Sequence, residues 1–245
     1  MDKIEGKNAV NEALAAGRDI NKIWILKPED GHKLEPALAK ILDAANRQKI
    51  VVSRVPRTVL NKMSTTGNHQ GVIASVASHT YADLDEVVRK IKDEGRKGLI
   101  IALDELKDAY NLGSILRIAD CAGADCVIIP ERRSVGLDSL VAKASAGAIE
   151  YVPVCRVVNL AQTLRKLKEE DYWVCGTDME GTPYDEADYT GNLVIVVGSE
   201  GEGMRDGVAK CCDFTVSIPM EGKVNSLNAA VAAGIVVYEA RKGRL

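Results

Sequence analysis

From Gly98 onward, short runs of Val, Ile and Leu recur with helical stretches between them, and this alternation constrains the fold more than any other feature. The runs are Leu99–Leu103, Cys126–Ile129, Val152–Cys155, Trp173–Gly176, Leu193–Val197 and Phe214–Ile218. They are near-continuous in apolar residues, the pattern of strands covered on both faces. Helical stretches fall near Leu112–Cys121, Leu137–Ser145, Leu160–Glu170 and Arg205–Cys211, and a last helix runs from Ser226 to about Arg241. Strands and helices in this order predict an α/β domain around a parallel sheet.

The first 77 residues read as a smaller α/β unit. A helix covers about Lys7–Ala16, with Val10 and Leu14 on one face, and another lies near Leu34–Arg47. β-rich runs follow at Lys22–Leu26, Ile50–Ser53 and Gly71–Ala77, and the polar stretch from Thr65 to Gly71 reads as an exposed loop. A helical connector around Leu84–Glu94 leads onward. The expected division is 1–78 for the first domain, 79–96 for a linker and 97–245 for the second domain.

Charge supports the division. Residues 1–80 carry 12 basic and 8 acidic side chains, a net +4, whereas residues 81–245 carry 20 and 27, a net −7. A basic module ahead of an acidic one fits an RNA-gripping appendage on a catalytic body. No run approaches 18 apolar residues and the start lacks a signal-peptide core, so a cytoplasmic chain without a membrane span is expected. Six cysteines occur without a Cys-x-x-Cys pair, which points to reduced, buried thiols and no metal site.

Three polar segments stand out against this scaffold. The first, Asp104 to Arg117, leaves a strand and enters a helix, with Asn111 and Gly113 at the turn. The second is the turn Gly198-Ser199-Glu200-Gly201-Glu202-Gly203-Met204. Its glycine spacing runs opposite to the dinucleotide fingerprint, and Ile218 and Pro219 stand where an acidic ribose partner belongs, which argues against a dehydrogenase of that type. The third runs from Ile218 to Asn228, where Pro219 stops a strand and Ser226 and Asn228 flank Leu227 at a helix start. Capping explains one of those two polar side chains but not both.

Taken together, in this order and spacing, the three segments resemble the SpoU branch of the SPOUT RNA ribose 2′-O-methyltransferases. The match spans Leu99 to Ala240 and includes Lys143–Ala148 ahead of Val152-Pro153. Residues 1–77, including His69-Gln70-Gly71-Val72, resemble the ribosomal-protein-like RNA-binding domain of the family's large-subunit ribosomal RNA members, which modify a guanosine of the peptidyl-transferase loop. The resemblance implies a parallel-sheet SPOUT domain with a deep trefoil knot, an exception to the usual absence of knots. It implies S-adenosyl-L-methionine as cofactor, held by Gly176, Thr177, Gly198, Ile218, Met220 and Leu227. The implied site residues are Asn111, Arg117, Glu200, Ser226 and Asn228, and the implied partners are 23S ribosomal RNA and a second copy of the chain in a homodimer. One departure is visible: Ala109 stands where the family often has proline.

All three histidines, His32, His69 and His79, precede the second domain, so that domain has no histidine base. Arginine is too basic to serve readily as a free base, so Arg117 is expected to bind the phosphate beside the target ribose and stabilise the developing oxyanion. Asn111 is expected to position Arg117 or the ribose, Glu200 to hold either in place, and Ser226 and Asn228 to line the methyl-transfer side. Positive charge for RNA is expected on Lys3, Lys7, Arg54, Arg57 and the Arg132-Arg133 loop. Transfer RNA, another ribosomal RNA loop, or a purely RNA-binding role are the alternatives.

Overall fold

The computed structural model describes residues 3–28, 33–223 and 226–244. His32 and Asn225 lie outside the described residues. The chain divides into two compact units, one of residues 1–80 together with Leu137–Ser139, the other of the remaining residues from Tyr81 onward.

The first unit holds a four-stranded sheet in the order β1-β4-β2-β3. β2 (Ile20–Leu26) is antiparallel to β4 (Val72–Val76) and parallel to β3 (Val52–Val55), while β1 (Lys3–Glu5) closes the other edge against β4. Helices α1 (Lys7–Ala15) and α2 (Pro36–Arg47) bury Val10, Leu14, Leu38 and Ile41 with Ile23 and Ile25 of β2. β1 and the short helix α3 (Arg57–Met63) have no counterpart in the sequence reading, because three and seven residues are too few to establish a period.

The Thr65–Gly71 stretch is less exposed than expected. Thr65 through Asn68 are exposed, but His69 is buried, its Nε2 paired with Asn61 Oδ1 at 2.8 Å and its Nδ1 accepting from Gly71 N at 2.9 Å. Glu5 fastens the start of the loop by accepting from Ser64 Oγ at 2.6 Å and from the backbone and hydroxyl of Thr65 at 2.6 and 2.8 Å. Burial works against the ionised form of Glu5, but hydrogen bonds from Ser64, Thr66 and Thr65 override it and hold the carboxyl well below the usual carboxylate range.

The second unit is a six-stranded, fully parallel sheet in the order β10-β8-β9-β5-β6-β7. β5 (Leu99–Leu103) and β9 (Asn192–Val197) lie at its centre, flanked by β6 (Cys126–Pro130), β7 (Val154–Val157), β8 (Tyr172–Pro183) and β10 (Phe214–Ser217). Every residue of β5 is buried, as its unbroken apolar run requires. On one face Ile100, Ala102, Val194 and Val196 pack with Leu160, Leu164 and Leu167 of α7 (Leu160–Glu169) and Val208 of α8 (Asp206–Ala209). α5 (Ala109–Ala122) and α9 (Ala229–Lys242) pack on each other and against β6 and β9. Gly113 is where α5 meets the end of α6 (Ser139–Ala144): a Cβ there would lie 2.4 Å from Ala144 Cβ.

The segment 79–96 does not behave as a free linker. Ala82 forms a parallel bridge with Cys155, and α4 (Leu84–Asp93) sets Leu84, Val87 and Val88 against the core of the second unit. A charged outer face made this helix read as a connector, yet its apolar stripe is a core face. Helix boundaries differ as well. α8 spans only four residues, and α9 begins at Ala229 rather than Ser226. Asn111 is not the cap of α5: Asp108 caps it, accepting from Asn111 N at 2.8 Å, and Gly123 ends it at φ 70°. Among the described residues no helix is long and apolar enough to cross a membrane.

Ala109 is therefore the first residue of α5, a position whose N–H has no partner within the helix and whose φ suits proline. Asp108 before it is extended, at φ −90° and ψ 127°, as a residue preceding proline must be. Replacement Ala109→Pro is expected to stabilise the chain by about 0.4–1 kcal/mol through the unfolded state. Urea unfolding, read as a midpoint shift at constant slope, measures it.

Candidate active site

The loops at the carboxyl ends of β5, β9 and β10 and the middle of β8 gather at one edge of the second unit, where ligands bind in open parallel sheets. After β9 the chain folds into a tight hairpin. Ser199 and Gly203 exchange N–H···O bonds of 3.0 Å in both directions, and Gly201 and Gly203 take φ of 85° and 69°. These left-handed angles account for the glycines. Gly198 has a different reason: a Cβ there would lie 2.4 Å from the carbonyl carbon of Gly203 and 2.5 Å from Met204 N.

Glu200, at the tip of this hairpin, joins two helix starts. Its Oε1 accepts from Asn111 Nδ2 at 2.9 Å, from Asn228 Nδ2 at 2.8 Å and from Ala229 N at 3.4 Å. Asn228 is the N-cap of α9, and its Oδ1 accepts from Ala230 N at 3.0 Å and Val231 N at 3.3 Å. With that oxygen committed to backbone donors, its amide nitrogen must face Asn111 and Glu200. Asn228 Nδ2 also donates to Asn111 Oδ1 at 2.8 Å, which turns the Asn111 nitrogen toward the carboxylate. Each amide orientation thus follows from the one before it, starting at the backbone of α9. The carboxylate lies at the positive end of α9, a favourable place for an anion.

Of the five site residues expected from sequence, the structure joins Asn111, Glu200 and Asn228 in one hydrogen-bonded cluster. Ser226 is exposed and lines the adjoining cavity but does not bond to the cluster. Arg117 is apart. It is exposed on α5 six residues beyond Asn111, roughly 120° around the helix from it. No hydrogen bond or ion pair holds it within the described residues of this chain.

Beside the cluster is a cavity of about 600 Å³. Thr177, Gly198, Ile218, Met220 and Leu227 line it, five of the six positions expected to hold a cofactor. Gly176 does not. It faces the interior, where a Cβ would come within 2.6 Å of Met204 Cε and 2.8 Å of Cys212 Sγ, and it shapes the cavity through Met204, which is part of the wall. Burial pushes the neighbouring Cys175 thiol up to about 12 and the Cys212 thiol up to about 11, so both are neutral packing groups there. Asp178 and Met179 also line the cavity and were missed in the sequence. β8 extends to Pro183, well past its apolar run, and only the glycine at 181, where a Cβ would lie 2.6 Å from the backbone of β10, hinted that the strand continued.

The expected RNA-binding cations fare unevenly. Lys7 is paired with Glu35, and Lys3 donates to Met63 O at 2.8 Å. Arg133 is bonded to Glu105 at 3.2 Å. Arg54 and Arg57, by contrast, have no partner within the described residues.

Comparison with known proteins agrees with this geometry. Residues 98–238 match the model of the SpoU rRNA Methylase family, and residues 3–82 match that of the RNA 2′-O ribose methyltransferase substrate-binding domain. A Bacillus subtilis protein named for the TrmH family of tRNA/rRNA methyltransferases is 45% identical over 245 residues, covering 99% of this chain and 96% of that one. A relative of the same family name from Staphylococcus haemolyticus is 47% identical over 242 residues, 98% of this chain and 95% of its own. The AdoMet-bound rRNA methyltransferase of Sinorhizobium meliloti has a similar structure at TM-score 0.60 and 25% identity, over 99% of this chain and 87% of that one. The SpoU methyltransferase AviRb of Streptomyces viridochromogenes shares the fold at TM-score 0.61 and 24% identity, over 99% and 90%. Fold and homology define an RNA methyltransferase built on a parallel α/β sheet. The chain belongs to the SpoU rRNA methylase family.

Replacement Gly198→Ala is expected to spread the hairpin and deform the cavity wall. Calorimetric titration with S-adenosyl-L-methionine measures the effect, with affinity falling about tenfold or more for a loss near 1.4 kcal/mol.

Proposed function

We propose that the chain transfers a methyl group from S-adenosyl-L-methionine to a ribose 2′-hydroxyl of RNA, and that its target is a guanosine of 23S ribosomal RNA. The observation that carries this reading is the Asn111–Glu200–Asn228 cluster at the rim of a cavity walled by glycine backbone. The cavity fits the cofactor in kind. Val197, Ile218 and Leu227 offer apolar surface for an adenosyl group, the bare backbone of Gly198 allows close approach, and Asp178 and Glu202 suit a cation. Bound there, S-adenosyl-L-methionine supplies an electrophilic methyl group on a sulfonium centre. The trefoil knot belongs to the same proposal, since the middle of β8, the segments after β9 and β10 and the start of α9 together line the cavity.

The protein's share of the work is placement and electrostatics. Asn111, held rigid by Asn228 and Glu200, orients the ribose. Ser226 lies on the cavity side, where the hydroxyl must enter. Arg117 binds the adjoining phosphate and stabilises the negative charge that develops on the attacking oxygen as its proton passes to solvent. In one chain Arg117 does not reach the cluster, and that isolation is the reason to propose a homodimer that completes the site. Tyr110 on α5 and Val231 and Tyr238 on α9 are large, apolar and at least half exposed on two helices that pack together, a fitting surface for a second copy. A ribosomal RNA substrate also assigns the protein to the cytoplasm, and the free Arg54 and Arg57 of the first unit provide positive charge for that RNA.

Mapping of ribose methylation on ribosomal RNA from cells with and without the gene tests the target; an unchanged 23S pattern overturns it. Complementation with Arg117→Lys separates the roles of this residue. Charge alone retains substantial methylation with lysine, whereas Arg117→Ala is expected to lower turnover by about one to two decades, the worth of a charge-assisted contact. Light scattering at working concentration is expected to give a dimer, and a fully active monomer removes the shared-site part of the proposal.

A further inference from the structure

Asp104 is a charged side chain with no exposed surface, and the chemistry described so far does not use it. It stands directly after β5, and it grips both stems of the hairpin that carries Glu200. Its backbone N–H donates to Val197 O at 2.8 Å, immediately before Gly198. Its carboxylate accepts from Arg205 N at 2.8 Å, immediately after Met204. The other oxygen, Oδ1, accepts from both Arg205 Nε at 2.9 Å and Nη2 at 2.6 Å, so the side chain is fixed as well as the backbone. One residue therefore closes the base of a seven-residue loop that the Ser199–Gly203 bridge closes further up.

The grip extends toward the other half of the site. Asp104 is four residues before Asp108, the cap that sets the first turn of α5 and hence Asn111. Glu105, between them, is buried with a left-handed φ of 59°, and its Oε1 contacts both Arg205 Nη1 and Arg133 Nη1 at 3.2 Å. A non-glycine residue in that backbone region costs free energy, so the surrounding contacts must hold it there. Hydrogen bonds and the adjacent carboxylates raise the affinity of Arg205 for its proton, against the effect of its burial. The pair is thus directional and shielded on the aspartate side.

We infer that Asp104, acting through Arg205, is a positioning residue for methyl transfer, setting the height of Glu200 against Asn111 and the shape of the cofactor cavity. This inference rests on the methyl-transfer reading. It predicts an effect on cofactor binding and on turnover without an effect on RNA binding, because the bonds of Asp104 go to Val197 and Arg205, neither of which is among the cations expected to hold RNA.

The test uses the full chain with Asp104→Asn, Arg205→Lys and Arg205→Ala. Hydrogen exchange of the cofactor-free protein is read across residues 198–205. Asp104→Asn is expected to accelerate exchange at Ser199, Gly203 and Arg205 while β5 and α7 keep their protection. The affinity for S-adenosyl-L-methionine and single-turnover kcat are each expected to fall about ten- to hundredfold, the range for a charged hydrogen bond, with RNA affinity unchanged. Arg205→Lys is expected to recover part of the loss seen in Arg205→Ala, since both keep the backbone N–H and only lysine keeps the charge. Arg205 is 44% exposed, so its variants carry the comparison if Asp104→Asn does not fold. Wild-type exchange and kinetics in Asp104→Asn overturn the inference, as does an equal fall in RNA and cofactor affinity. Failure of the wild-type protein to bind S-adenosyl-L-methionine overturns the methyl-transfer reading instead, and the exchange comparison still decides whether Asp104 orders the loop.

Discussion

The site depends on one oxygen atom. Glu200 Oε1 is the common acceptor for a side chain on α5, a side chain at the start of α9 and the backbone of α9 itself. A neutral acceptor in that place forms weaker bonds, because hydrogen bonds to ionised groups are roughly twice as strong as neutral ones. Two amides alone also cannot fix each other's orientation. The carboxylate ends the chain of donors that begins at the N–H groups of Ala230 and Val231, and so gives every group in the cluster a single arrangement.

The sheet is what makes this meeting possible. Parallel strands deliver all their carboxyl ends to one edge, so loops separated by about a hundred residues in sequence arrive together without long excursions. β5 and β9 are neighbours in the sheet, paired in register from Leu99–Leu193 to Leu103–Val197. Asp104 and Gly198 each follow the last pair, and the two polar loops therefore start at the same height. The apolar core below, with Ile100, Ala102, Val194 and Val196 buried, holds that height constant.

Much of this was legible in the sequence, for specific reasons. Leu99–Leu103 and Leu193–Val197 are unbroken apolar runs, and both are strands with the bounds expected within a residue. Asn111 and Glu200 are polar residues in places that propensity alone does not explain, and Asn228 shares a helix start with Ser226, where capping accounts for only one of the two. Other features were hidden. The start of α5 was one: its cap is Asp108, and Asn111, placed at the turn, is already inside the first turn of the helix. β8 continues through Asp178, Met179 and Glu180, residues that favour no strand; pairing with β10 breaks after Gly176 and resumes only at Thr182 and Pro183, so these three lie in the irregular stretch between. α4 read as a connector because its charged face dominates its composition, although its apolar stripe packs on the core. The distance of Arg117 from the cluster was beyond sequence altogether, since a spacing of six on a helix fixes an angle but not which neighbour waits there.

Asn228 spends its two polar atoms on different tasks, one on the first turn of α9 and the other on the cluster. Fraying of that turn and disassembly of the site are consequently a single event. A helix end is ordinarily the least secure part of a fold, yet here any thermal excursion that loosens it takes the cluster apart before the sheet begins to melt.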